Sequence, residues 1–124
     1  MRAVFLDLGS VTRGDLDCAK LEKAVSPWQY YDETSPDQTA ERIKNAEVIV
    51  SSKTLVDRAA IDSAEHLKLI CIAATGYNNV NLTAAAERNI SVCNVRSYAT
   101  ASVTQHVAMF MFNLSRRFVE YQHY

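Results

Sequence analysis

Apolar residues in this chain fall into five short runs, and between the runs they recur at helical spacing. The runs are Arg2 to Asp7, whose Ala-Val-Phe-Leu centre has no polar break; Trp28 to Tyr31, aromatic in character; Glu47 to Ser51; Leu67 to Ile72; and Ile90 to Val95. Such lengths, bounded by turn residues, predict strands. Leu67 to Ile72 is apolar but for Lys68, and Ile70 and Ile72 are β-branched, which suits a strand buried on both faces of a parallel sheet. The stretches between carry helix signals. Asp17 is placed to cap a short helix whose Cys18, Leu21, Ala24 and Val25 share a face and which Pro27 stops. Ser35-Pro36-Asp37-Gln38 joins a Ser cap, Pro at the first helical position and Gln three residues on, with Ala40 and Ile43 facing inward. Thr54-x-x-Asp57 repeats that spacing before a helix with Leu55, Ala59 and the Ile61 region on its buried face. Asn81 caps Leu82 to Ala86, and Asn89 ends that helix.

Strands alternating with short helices, joined by right-handed crossovers, build one parallel sheet sandwiched by helices. The expected fold is therefore α/β: a flavodoxin-like, doubly wound, five-stranded parallel sheet over residues 1–99, with a long apolar helix extending from it. From Thr100 to Arg117 the alternation stops. Val103, Val107, Met109, Phe110, Phe112 and Leu114 leave little polar surface on any side of this helix, so it needs more partners than one sheet face offers. A homodimer through residues 100–114 is the expected cover. After Arg116 the chain lacks a compact finish, as though it continued elsewhere or met a second copy.

In a doubly wound sheet the loops after the strands gather at one edge. Gly9-Ser10, Ser51-Ser52-Lys53, Ala74-Thr75-Gly76-Tyr77 and Asn94-Val95 are thus expected to line one crevice. Gly76 stands out, because a central strand emptying into a glycine loop before a helix is where such sheets bind small anions. Its missing Cβ also lets a ligand approach the backbone. At 124 residues the chain fits one domain, which on folding buries roughly two thirds of its unfolded surface. With 48% apolar residues, 22% charged and a net charge of −1, neither a disordered tail nor a nucleic-acid binder is indicated. Cys18, Cys71 and Cys93 are odd in number, and two lie in strand-like runs, so buried free thiols in a reducing cytosol are expected rather than a disulfide framework. No cysteine pair has metal-ligand spacing, and no apolar run approaches the ~20 residues of a membrane span, so a soluble cytoplasmic protein is expected.

Ala74-Thr75-Gly76-Tyr77-Asn78-Asn79-Val80, together with Asn94-Val95-Arg96-Ser97-Tyr98-Ala99-Thr100-Ala101-Ser102-Val103, resembles the N-terminal part of D-isomer-specific 2-hydroxyacid dehydrogenases. The nearest branch by this resemblance is glycerate dehydrogenase, also called hydroxypyruvate reductase. The likeness is dense from about Val48 to Arg117. It implies a substrate-binding domain of flavodoxin-like fold, with a Rossmann domain inserted before a returning helix. It further implies that the Thr75-Gly76 amides hold the carboxylate of a small 2-hydroxy or 2-oxo acid, that Ser52 and Lys53 line the same pocket, and that Val103 lies against the nicotinamide of NAD or NADP. The long helix would cross toward the cofactor domain and the dimer partner. Two positions depart from the family's usual pattern: Arg96 stands where Pro is common, and Thr104 where Ala is. The only glycines are Gly9, Gly14 and Gly76, so no G-x-G-x-x-G fingerprint exists here, and the Arg, Glu and His that such enzymes use for catalysis are not matched. The expectation is a truncated, non-catalytic part of a dehydrogenase, which binds no dinucleotide alone.

His66 precedes the central strand at its far end, His106 lies on the long helix and His123 in the tail, so none is assigned a catalytic role. Lys53 either screens substrate charge or covers surface, Gly76 either meets a ligand or only turns the chain, and Tyr77 and Tyr98 either wall the pocket or pack. A stand-alone dimerising module is the competing function. A phosphoacceptor receiver shares the architecture but needs an acidic cluster; Asp7 stands alone, the third strand ends in Ser51-Ser52, and Asn94-Val95-Arg96 replaces the lysine site. The loop after Asp7 also lacks the hydroxyl residues a flavin phosphate would want.

Overall fold

A computed structural model of the chain describes residues 1–122. Strands β1 (Ala3–Phe5), β2 (Trp28–Tyr30), β3 (Val48–Ser51), β4 (Leu69–Ile72) and β5 (Ser91–Asn94) form one sheet in the order β2-β1-β3-β4-β5. Every pairing is parallel. This is the expected flavodoxin-like α/β architecture, with its winding reversing between β1 and β3. Helices α1 (Ala19–Ala24), α2 (Pro36–Ile43), α3 (Arg58–Ser63) and α4 (Leu82–Glu87) connect the strands, and α5 (Thr100–Ser115) and α6 (Phe118–Tyr121) follow. A 3₁₀ turn at Leu8–Ser10 and the short α6 are additions to the sequence reading. No helix among the described residues is long and apolar enough to cross a membrane.

Local chemistry sets most helix starts. Ser35 and Gln38 form the capping box of α2, with the Ser35 N–H donating to Gln38 Oε1 at 3.3 Å. Asn81 Oδ1 accepts from the Ala84 N–H at 2.9 Å, and Asn89 adopts φ 56° to close α4. Two starts differ from expectation. Helix α3 is capped by Asp57, whose Oδ1 accepts from the Ala60 N–H at 2.8 Å, and not by Thr54. Its register therefore turns, so that Ala60 and Ile61 are buried while Leu55 and Ala59 are exposed. Asp17 bonds the Ala19 N–H, but the cap position of α1 is Cys18.

Helices α2, α3 and α4 cover one sheet face. Ile43, Ile61 and Ala84 pack there against Val4, Leu6, Ile49 and Ile70, all essentially inaccessible. The opposite face carries α1 and leaves an apolar trough of about 410 Å³ lined by Leu21, Trp28, Leu69, Cys71 and Cys93 among others. Strand β4 is therefore sealed on one side only: Ile70 and Ile72 are buried, Leu69 and Cys71 half-buried. That open face also corrects the reading of the thiols, none of which is buried; Cys93 is exposed. Helix α5 buries nothing, and its Phe112 and Leu114 are 71% and 78% exposed.

Candidate functional site

Two loops at the carboxyl ends of the central strands carry the residues singled out in the sequence. After β3, Ser52, Lys53 and Thr54 wrap the side chain of Asp7, which leaves the end of β1. The Ser52 N–H donates to both Asp7 oxygens, at 2.8 and 3.1 Å, and the Lys53 and Thr54 N–H groups donate to Oδ2 at 2.6 and 2.8 Å. Asp7 is only 4% exposed. Successive amides aimed at one carboxylate make an anion nest, and here the anion is the chain's own. This also explains the displaced cap of α3: the Thr54 amide belongs to the nest, so the helix begins three residues later.

After β4 the chain makes a second loop, residues 73–79. Thr75 and Gly76 are exposed, and among the described residues neither backbone N–H has an acceptor. The loop is held from behind: Asn94 Nδ2 donates to the Thr75 carbonyl at 2.7 Å and the Val95 N–H to the Ala74 carbonyl at 3.1 Å. A Cβ at position 76 would meet only Asn78 Oδ1, at 3.2 Å, a side-chain atom that can move aside. The fold itself thus makes little demand for glycine there. Gly9 differs, since a Cβ would lie 2.9 Å from the Asp32 carbonyl oxygen. Open amides beside a glycine that the scaffold does not require suit a small anion approaching the backbone.

The two loops are stitched together. Asn79 Nδ2 donates to the Thr54 carbonyl at 3.0 Å, and the Val56 N–H donates to the Asn79 carbonyl at 2.7 Å. Part of the crevice expected from the sequence is a hollow on the Asp7 side. Gly9, Ser10, Asp32, Glu33, Lys53 and Thr54 line a hollow of about 520 Å³ beside Asp7, without Thr75 or Gly76. Lys53 is exposed at this hollow, Ser52 is half-buried, and Tyr77 and Tyr98 are exposed. Val103 is 57% exposed in the first turn of α5. His66 is exposed before β4, His106 lies edge-on to Phe110 with ring centroids 4.6 Å apart, and His123 falls outside the described residues. No group of three or more His, Cys, Asp or Glu among the described residues could hold a metal.

A family model described as the catalytic domain of D-isomer specific 2-hydroxyacid dehydrogenases matches residues 8–119. The chain belongs to that family. It is 36% identical over 123 residues to a glycerate dehydrogenase of Methylorubrum extorquens, covering 97% of this chain and 37% of that protein. It is 35% identical over 108 residues to a hydroxypyruvate reductase of Blautia hydrogenotrophica, covering 85% and 33%. Among solved structures, an NAD-dependent formate dehydrogenase from Staphylococcus aureus in complex with NAD superposes with a TM-score of 0.76 at 28% identity, covering 97% of this chain and 38% of that one. The chain thus spans about a third of the length of each of these proteins, from 33% to 38%. Gly9, Gly14 and Gly76 do not make the G-x-G-x-x-G turn that holds a pyrophosphate, and toward a nicotinamide Val103 could offer only apolar contact.

Sequence reasoning placed Thr75, Gly76 and Asn94 at this edge of the sheet but did not foresee the closure of Ser52 to Thr54 on Asp7. Asp7 was visible only as an acid closing a strand; its role depends on β1 and β3 being neighbours, with Phe5 in register with Val50.

Proposed function

We propose that this chain is the substrate-binding part of an NAD(P)-dependent D-2-hydroxyacid dehydrogenase that reduces hydroxypyruvate to D-glycerate. The observation that carries the reading is the pair of acceptor-free N–H groups at Thr75 and Gly76, beside an unhindered backbone. These amides hold the carboxylate of the 2-oxo acid, and Asn94 keeps the loop from folding onto itself. Ser52 and Lys53 contribute through hydroxyl and ammonium alone, because their N–H groups are occupied by Asp7. Residues 1–99 form the substrate unit, and residues 100–124 lead toward a cofactor domain and a second subunit. Val103 would lie beside the nicotinamide, which when bound would supply the hydride. The resemblance to a glycerate dehydrogenase supports the substrate class.

A titration of the isotope-labelled chain with D-glycerate tests this, with glycerol as the uncharged control. The Thr75 and Gly76 amide resonances are expected to move with glycerate and stay still with glycerol. Shifts confined to Ser10, Asp32 and Lys53 would sink the assignment. The chain alone is expected not to oxidise NADH with hydroxypyruvate.

A second reading, a dimerising module without carboxylate affinity, draws on α5, none of whose residues is buried. Sedimentation separates the two: a tight dimer combined with silent Thr75 and Gly76 amides favours the module.

A further inference from the structure

Two thiols meet on the open face of the sheet. Cys71 in β4 and Cys93 in β5 are partners in strand register, and their Sγ atoms lie 3.5 Å apart. Cys93 is exposed, and Cys71 is half-buried beside it in the apolar trough. Neighbouring strands run about 4.8 Å apart, within the roughly 4.4–6.8 Å that disulfide Cα atoms span. The sulfurs therefore have about 1.5 Å to close before reaching bonding distance. Strand β5 is at the edge of the sheet, bonded on one side only, so it is free to yield by that amount.

We propose that Cys71 and Cys93 are a dithiol modification site, which a small disulfide such as oxidised glutathione converts to an intramolecular β4–β5 disulfide. Exposure sets the order of events. Cys93 as thiolate attacks one sulfur of glutathione disulfide, breaking its S–S bond; a mixed disulfide forms and one glutathione thiolate leaves, taking up the proton that Cys93 lost. Cys71 then gives up its proton and attacks Cys93 Sγ, forming the protein disulfide and expelling the second glutathione, which takes that proton. Two protein thiols are oxidised, and one glutathione disulfide is reduced to two thiols. Burial and the neighbouring Cys93 push the Cys71 thiol up to about 12, consistent with Cys93 reacting first. The bond would form one residue before Asn94, whose amide holds the Thr75 carbonyl.

The experiment is incubation of the reduced chain with oxidised glutathione under anaerobic conditions, followed by thiol titration, intact mass and peptide mapping. Two of the three thiols are expected to disappear, with a mass lower by two hydrogens, no retained glutathione and a Cys71–Cys93 peptide pair. Cys18→Ser is expected to behave identically, whereas Cys71→Ser is expected to stop as a glutathione adduct at Cys93. A wild-type chain that stops at the Cys93 adduct, cross-links through Cys93 into dimers, or loses no thiol would overturn the proposal.

Discussion

The loops after β3 and β4 are built from the same parts, short polar turns at the carboxyl ends of adjacent central strands, yet they end in opposite states. One closes on Asp7 and spends three successive N–H groups on an internal carboxylate. The other leaves the Thr75 and Gly76 N–H groups open to solvent. The difference lies in what the neighbouring strand delivers. Strand β1, beside β3, is followed two residues on by Asp7, whereas β5, beside β4, ends in Asn94, which braces a carbonyl and leaves the amides alone. A polar turn at this edge is thus satisfied internally where the fold brings its own anion, and keeps its amides open where it does not.

Removing the internal anion is the strongest way to break this contrast. Asp7→Ala orphans the Ser52, Lys53 and Thr54 amides, of which Thr54 is on a buried residue and Ser52 on a half-buried one; at about 1–3 kcal/mol for a buried group left unpaired, a loss of roughly 3 kcal/mol is expected in the urea unfolding free energy. Asp7→Asn, which keeps one acceptor oxygen, is expected to lose less. The two glycines give the next test. Gly9→Ala places a Cβ against the Asp32 carbonyl and is expected to cost about 1–3 kcal/mol, the range for overpacking. Gly76→Ala is expected to leave stability within about 0.5 kcal/mol, as a loop substitution whose only new contact is mobile, while weakening glycerate binding at least tenfold in the amide titration. An equal stability loss at both positions would erase the distinction between scaffold and site glycines.

Asn94→Ala sharpens the comparison at lower amplitude. Losing one hydrogen bond to the Thr75 carbonyl is expected to weaken glycerate binding by about 0.5–1.5 kcal/mol, with the Asp7 nest unchanged. The smallest expected effect is electrostatic. Glu47 is held below its ordinary value by the hydrogen bond from Lys68, then by the Arg2 N–H, and Glu87 by Arg58. A carboxylate whose pKa falls on folding stabilises above its unfolded pKa and loses that contribution as pH drops through the folded value. Glu47→Gln is therefore expected to change unfolding midpoints slightly at neutral pH and to flatten their decline below about pH 4.5, the ordinary glutamate value.

Much of this architecture was legible because its causes are local. The apolar runs at Ala3–Phe5, Val48–Ser51 and Leu69–Ile72 became strands, and Ser35 and Asn81 capped the helices they precede. Thr54 failed as a cap for a non-local reason, since Asp7, distant in sequence, had taken its amide. The exposure of Cys71 and Cys93 was equally invisible, because periodicity shows that a residue is apolar but not whether a helix covers its sheet face. At the proposed site, glycine and strand position marked Gly76, whereas the open N–H groups there and the closed ones on Asp7 could be told apart only in three dimensions.

The Asn79 bridge between the loops has a consequence for timing. Amides locked on Asp7 exchange hydrogen with water only when the loop opens, and Asn79 ties that opening to the segment after Gly76. Protons at Ser52, Lys53 and Thr54 therefore keep a slow clock beside the fast one at Thr75 and Gly76. A ligand settling on the open loop would slow both.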